Sequence, residues 1–158
     1  MRPTRIVAAA AFALLASLPV AAQTAADTIS IVDAYVRAPA PNAPATGAFM
    51  VLKNSGATER RLVRAESPAA RVVELHDHID EGGVKKMRPV ATIAIAGKGE
   101  AVLKPGSLHV MLIDMKKPLA EGDSVPITLG FDDGSSKRID APVRKLQMQM
   151  PGMSGMQH

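Results

Sequence analysis

The chain has 158 residues, 19 Lys and Arg against 15 Asp and Glu, no cysteine, no tryptophan and 3% aromatic residues. That length suits one domain with a real hydrophobic core, and the lack of cysteine excludes both a disulfide staple and a thiolate metal site. The net charge of +4 and the scarce aromatics describe neither a nucleic-acid binder with one basic face nor a stacking surface for single strands.

The chain opens like an exported protein. Arg2 and Arg5 form a short positive region, Ile6 to Leu18 is uncharged and apolar, and Val20-Ala21-Ala22 places small residues before Gln23, the layout of a secretory signal peptide. Cleavage is expected after Ala22, with Thr24-Ala25-Ala26 as the alternative. A membrane anchor is the competing reading, but the apolar stretch falls short of the ~20 residues that span a bilayer. No second such stretch follows, and there is no cysteine to carry a lipid. The expectation is a signal peptide at 1–22, one folded domain at 23–143 and a tail at 144–158. The mature product is expected in the periplasm, soluble, monomeric and without a membrane anchor, its net charge reduced to +2.

From Ile29 onward the pattern is one of strands. Short runs, often β-branched and alternating, cover Ile29 to Arg37, Ala48 to Lys53, Arg61 to Ala65, Arg71 to His78, Val84 to Pro89, Thr92 to Ile95, Ala101 to Lys104, His109 to Met115, Ser124 to Phe131 and Ser136 to Val143. Turn clusters such as Asn54-Ser55-Gly56, Glu81-Gly82-Gly83, Pro105-Gly106 and Asp132-Asp133-Gly134 separate them. Short strands with turns at roughly 8 to 12 residue spacing predict an all-β fold, a single Greek-key β-sandwich. No amphipathic helix, repeat or domain linker is evident.

Two histidines and two methionines carry the chemistry. Ten residues separate His76 from Met87, twenty-one more lead to His109, and Met111 follows two positions later. Residues i and i+2 of a strand share a face, so His109 and Met111 project together. A hairpin through Gly82-Gly83 brings Met87 towards His76, which is expected to end its strand. Imidazole and thioether are uncharged donors that suit Cu(I) far better than ions preferring carboxylates or thiolates. Each donor also has an ordinary reading, methionine as core filler and histidine as a satisfied polar group, and Met50 and Met115 are expected to be packing residues. His78 shares a face with His76 if the strand continues, which makes it a possible accessory ligand. Lys85, Lys86 and Arg88 flank the cluster, either steering an acidic acceptor or forming a solvated hairpin.

The segments Glu74-Leu75-His76, Gly83 to Val90, Leu103 to Gly106 and His109 to Leu112, with Lys117-Pro118-Leu119 before Glu121-Gly122-Asp123, resemble the periplasmic copper chaperone family. Its pattern of His, ten residues, Met, twenty-one residues and His-x-Met is matched without insertion, and the similarity runs from about Ile29 to Val143. The resemblance implies a cupredoxin-like sandwich holding one Cu(I) through His76, Met87, His109 and Met111. It implies no enzymatic activity. The partner it implies is the copper-containing subunit of cytochrome c oxidase or another copper-assembly protein. Copper buffering without a dedicated client is the alternative, and redox catalysis ranks behind both.

After Val143 the strand pattern stops. Met148, Met150, Met153, Met156 and His158 alternate there with Gln, Pro, Gly and Ser. Such composition cannot bury a core, and it is read either as a frayed terminus or as an accessory metal tract, including Cu(II) through His158.

Overall fold

The computed structural model describes residues 22–145. All but the last residue of the expected signal peptide, and the tail ligands Met148, Met150, Met153, Met156 and His158, lie outside them. One helical turn, α1 (Ala25–Thr28), precedes ten strands: β1 (Ile29–Arg37), β2 (Ala45–Asn54), β3 (Arg60–Glu66), β4 (Ala70–Glu81), β5 (Val84–Pro89), β6 (Ile93–Ile95), β7 (Glu100–Leu103), β8 (His109–Met115), β9 (Ser124–Phe131) and β10 (Ser136–Arg144). Every expected strand is present. The main differences are that β2 starts three residues earlier, at Ala45, and β4 runs on to Glu81, so His76 lies inside its strand rather than at the end.

The turn α1 has a local cause that the strand pattern does not carry. Thr24 and Asp27 form a capping box, each side chain bonded to the other's backbone N–H. Asp133 holds the segment from outside, accepting from Ala25 N–H at 2.6 Å, while Ser135 Oγ accepts from Ala26 N–H at 3.0 Å. Ala25 is fully buried.

The strands form two sheets. One runs β5-β4-β8-β2-β1, with β7 continuing along β2 beyond the end of β8. The other runs β10-β9-β3-β6, and β10 joins the first by a parallel pairing with β1 at Val36↔Val143 and Arg37↔Arg144. Inward side chains of both sheets, including Leu52, Leu62, Ile95, Leu112, Ile127 and Leu129, make one core. This is the all-β, cupredoxin-like Greek-key sandwich expected from the strand pattern and the resemblance.

Two irregularities position the site. At Asp33 the backbone turns left-handed (φ 52°) and the β1–β2 register shifts between Val32 and Tyr35. This bulge moves the inward phase from Ile29 and Ile31 to Ala34 and Val36, which turns Tyr35 outward opposite Phe49. The second is the gap Lys104–Leu108 between β7 and β8. It is closed by Lys104 N–H to Leu108 O and Ser107 N–H to Lys104 O bonds, with Gly106 at φ 80°.

Candidate metal centre

The core fixes which way β4 and β8 face. Leu75, Val110 and Leu112 are buried between the sheets, so their neighbours His76, His109 and Met111 must stand on the outer face. Antiparallel pairing then sets His76 directly opposite His109 and Glu74 opposite Met111. On the other flank of β4, the two-residue turn Gly82-Gly83, both at positive φ (66° and 83°), suits a tight hairpin that any other residue would strain. That hairpin pairs Met87 with His78. The register thus carries four sequence-distant donors and His78 onto one outer face.

The three imidazoles lie close together. Ring centroids are 5.7 Å apart for His76 and His109 and 5.3 Å apart for His78 and His109. His109 is 3% exposed and its Nδ1 lies 2.8 Å from the Ser107 carbonyl; because a carbonyl only accepts, Nδ1 carries the proton and a neutral ring keeps its lone pair on Nε2. Burial pushes the His109 pKa below its ordinary 6.5, reinforced by the neighbouring His78 and His76. His76 is 9% exposed. One of its nitrogens, Nε2, is 2.7 Å from Glu74 Oε2, and the other, Nδ1, is buried without a partner. Met87, on the exposed edge strand β5, is 43% exposed.

A cavity of about 650 Å³ opens over this face, lined by His78, Met87, His109, Met111, Gly47, Phe49, the 37–40 segment and Pro105-Gly106 of the β7–β8 gap. Phe49 stands outside the inter-sheet core, with its ring 5.3 Å from Tyr35 and 6.0 Å from His109. It occupies the space above Gly47, where an added Cβ would meet the ring at 2.8 Å. His76 does not line the cavity, whereas His78 does. The residue set aside as accessory is therefore a wall of the cavity and the direct cross-strand partner of Met87, with His76 lying one pair deeper along β4. Met50 is buried in the core and Met115 packs against it, as expected of packing residues.

Residues 29–143 match the family model described as "Putative lipoprotein LpqE-like". The chain belongs to the LpqE-like family. It is 34% identical over 131 residues to "Putative lipoprotein Lxx21020" of Leifsonia xyli subsp. xyli, covering 80% of this chain and 78% of that protein. Among solved structures it is similar to CuI-DR1885 from Deinococcus radiodurans, at TM-score 0.63 and 33% identity over 75% of this chain and 79% of that one. It is also similar to the copper-bound PCuAC domain from PmoF2, at TM-score 0.63 and 25% identity over 75% and 93%. The resemblance read from the sequence is borne out at the level of family and fold.

In this LpqE-like chain the charged side chains lining the cavity, among the described residues, are cationic, while the Glu74 carboxylate lies beyond it against His76. The cavity wall includes Arg37 and Lys145 and no carboxylate. Lys86 and Arg88, on the hairpin, both pair with Glu81, Lys86 at 2.7 Å, and with exposed Lys85 beside them the hairpin keeps a net positive charge. Among the described residues no group of three His, Asp or Glu side chains converges as a metal cage. Sequence reasoning gave Glu74, Gly47 and Phe49 no role at the site. Glu74 carried a signal, since i and i+2 on one strand face each other's side chains, but the role of Gly47 appears only once Phe49 is seen to lie over it.

Proposed function

We propose that the protein is a copper carrier that binds Cu(I) through His76, Met87, His109 and Met111 and hands it on by ligand exchange. The observation that carries this reading is the β5-β4-β8 register, which gathers two imidazoles and two thioethers from three strands onto one outer face. The orphaned His76 Nδ1 and the free Nε2 of His109 are uncharged nitrogen donors, and buried polar atoms ordinarily have partners. The copper named in the descriptions of the DR1885 and PmoF2 structures supports the same cargo.

Handover follows from the donors' unequal exposure. His109 is buried and anchored to the Ser107 carbonyl, whereas Met87 sits on an edge strand facing solvent. A thioether is a weak, neutral donor, so an incoming ligand displaces Met87 before the histidines let go, and copper passes without being released into water. The acceptor is a copper centre of cytochrome c oxidase or another copper-assembly protein, and the place is the periplasm after removal of the leader. Met148, Met150, Met153, Met156 and His158 add copper capacity, with Cu(II) taken through His158. The protein carries the ion and does not turn over substrate.

The test is an anaerobic Cu(I) titration against a chromophoric competitor, using protein starting at Gln23, a His109→Ala/Met111→Ala variant and a truncation ending at Lys145. One tightly held copper, lost in the double variant and retained in the truncation, is expected. Loss on truncation alone would move the site to the tail. Delivery to a soluble copper-binding fragment of the oxidase separates a chaperone from a buffer.

A further inference from the structure

Resting on the copper reading above, we propose that Glu74 is a positioning residue that fixes the tautomer of His76, so that His76 donates through Nδ1 while His109 donates through Nε2. Glu74 lies two positions before His76 on the same face of β4, and its Oε2 is 2.7 Å from His76 Nε2. A carboxylate only accepts, so the proton of a neutral His76 resides on Nε2 and the lone pair on Nδ1. The opposite tautomer would place a lone pair against a carboxylate and leave a buried N–H with nothing to bind. Nδ1 is the one buried side-chain polar atom among the described residues that lacks a partner.

The two histidines are thus oriented by unlike devices. For His109 the device is main chain: the Ser107 carbonyl, set by the β7–β8 gap, takes Nδ1–H and leaves Nε2. For His76 it is a side chain, and the free nitrogen is the one nearer the backbone. Histidine ligands characteristically give their second N–H to a carboxylate or carbonyl, which fixes ring orientation and raises basicity. Here both kinds of support occur on one directly opposed pair. His76 does not line the cavity; its Nε2 is turned to Glu74 and its Nδ1 is buried without a partner. Glu74 faces Met111 across the pair, so it supports the ring from the thioether side without itself serving as a ligand.

The test uses the full chain from Gln23, copper-free and Cu(I)-loaded, in wild type, Glu74→Gln and Glu74→Leu. Glu74 has a side chain 43% exposed, so neither change opens the core. Long-range 1H–15N spectra of the copper-free protein at pH 8 are expected to show His76 protonated on Nε2 in the wild type and in Glu74→Gln, whose amide oxygen still accepts. A mixture of tautomers is expected in Glu74→Leu, with His109 unchanged in all three. Cu(I) affinity is expected to fall about 10- to 100-fold in Glu74→Leu and by a few-fold in Glu74→Gln. A wild-type His76 protonated on Nδ1, or a Glu74→Leu protein that binds copper as tightly as the wild type, overturns the proposal. If wild type binds no copper at this face, the copper reading fails, and the copper-free spectra still decide the role of Glu74.

Discussion

Phe49→Ala is the change that most directly probes how the outer face is held. The ring is 6% exposed, packed between Tyr35 and His109, and it fills the space over Gly47. Truncating a buried phenylalanine to alanine typically costs about 3–5 kcal/mol. The low end applies here, because the vacated space opens to the cavity and not to the inter-sheet core, which gives a loss of about 3 kcal/mol. For a domain of this size each kcal/mol lowers the midpoint by roughly 3–5 °C, so calorimetry should show a fall of about 10 °C. Gly47→Ala supplies the control. Its Cβ would press on the tip of the Phe49 ring, which must shift to admit it, at a cost of about 1–3 kcal/mol, yet in the Phe49→Ala background that cost should drop below about 0.5 kcal/mol. Urea unfolding of the four proteins closes the double-mutant cycle. Additive effects, or a Phe49→Ala midpoint within about 2 °C of wild type, would refute the claim that this ring occupies the glycine's space and walls the site.

Four further outcomes are expected. Asn54→Ala should destabilise by about 2 kcal/mol in urea unfolding, since the buried amide bonds the carbonyls of Thr58 and Ile95 and the N–H of Gly56, and truncation strands them. In acid, hydrogen bonds from Ser135 and the Ala25 N–H hold Asp133 at about 2 against an ordinary 3.8. Its contribution is therefore complete above about pH 4 and lost as pH falls towards 2, and Asp133→Asn should remove that part of the acid transition. His109 has the same sign at higher pH: its folded pKa lies below 6.5, so stability from the neutral ring is full above 6.5 and declines below it, as an NMR titration with parallel unfolding would show. Mild peroxide should oxidise exposed Met87 well before buried Met50, and mass spectrometry paired with titration should find Cu(I) affinity falling with Met87 sulfoxide; unchanged affinity would count against thioether ligation.

The sheets were legible because each strand advertises a buried face and a turn. Val125, Ile127 and Leu129 alternate along β9, and Gly82-Gly83 marks a hairpin that any other pair would strain. Co-facing of His109 and Met111 followed from a period of two, with Val110 and Leu112 as the inward pair. What the sequence did not show was cross-strand register. Expecting β4 to end near His78 hid the fact that it continues to Glu81, and the continuation makes His78, not His76, the direct partner of Met87. The helical turn was overlooked because four residues have no hydrophobic period, and its stability comes from Thr24, Asp27 and the distant Asp133. The ion pairs of the hairpin were hidden for a similar reason: Glu81, five and seven residues before Lys86 and Arg88, meets both only once the chain has turned.

The buried N-terminal turn also bears on where the expected leader is cut. Cleavage after Ala26 would remove Thr24, which caps the turn, together with fully buried Ala25 and the two N–H groups that bond Asp133 and Ser135. It would leave those acceptors unpaired and open a hole beside Ile29. Cleavage after Ala22 preserves every one of these contacts and leaves Gln23 in place, where its carbonyl accepts from Arg60, the same guanidinium that pairs with Asp133 at 3.1 Å. The polar cluster thus ties the first residues of the expected mature chain to the β9–β10 turn. That tie is remote from the candidate metal face, so the processed end can be anchored without constraining the donors. Of the two processing sites read from the leader pattern, cleavage after Ala22 would keep these contacts and cleavage after Ala26 would remove them.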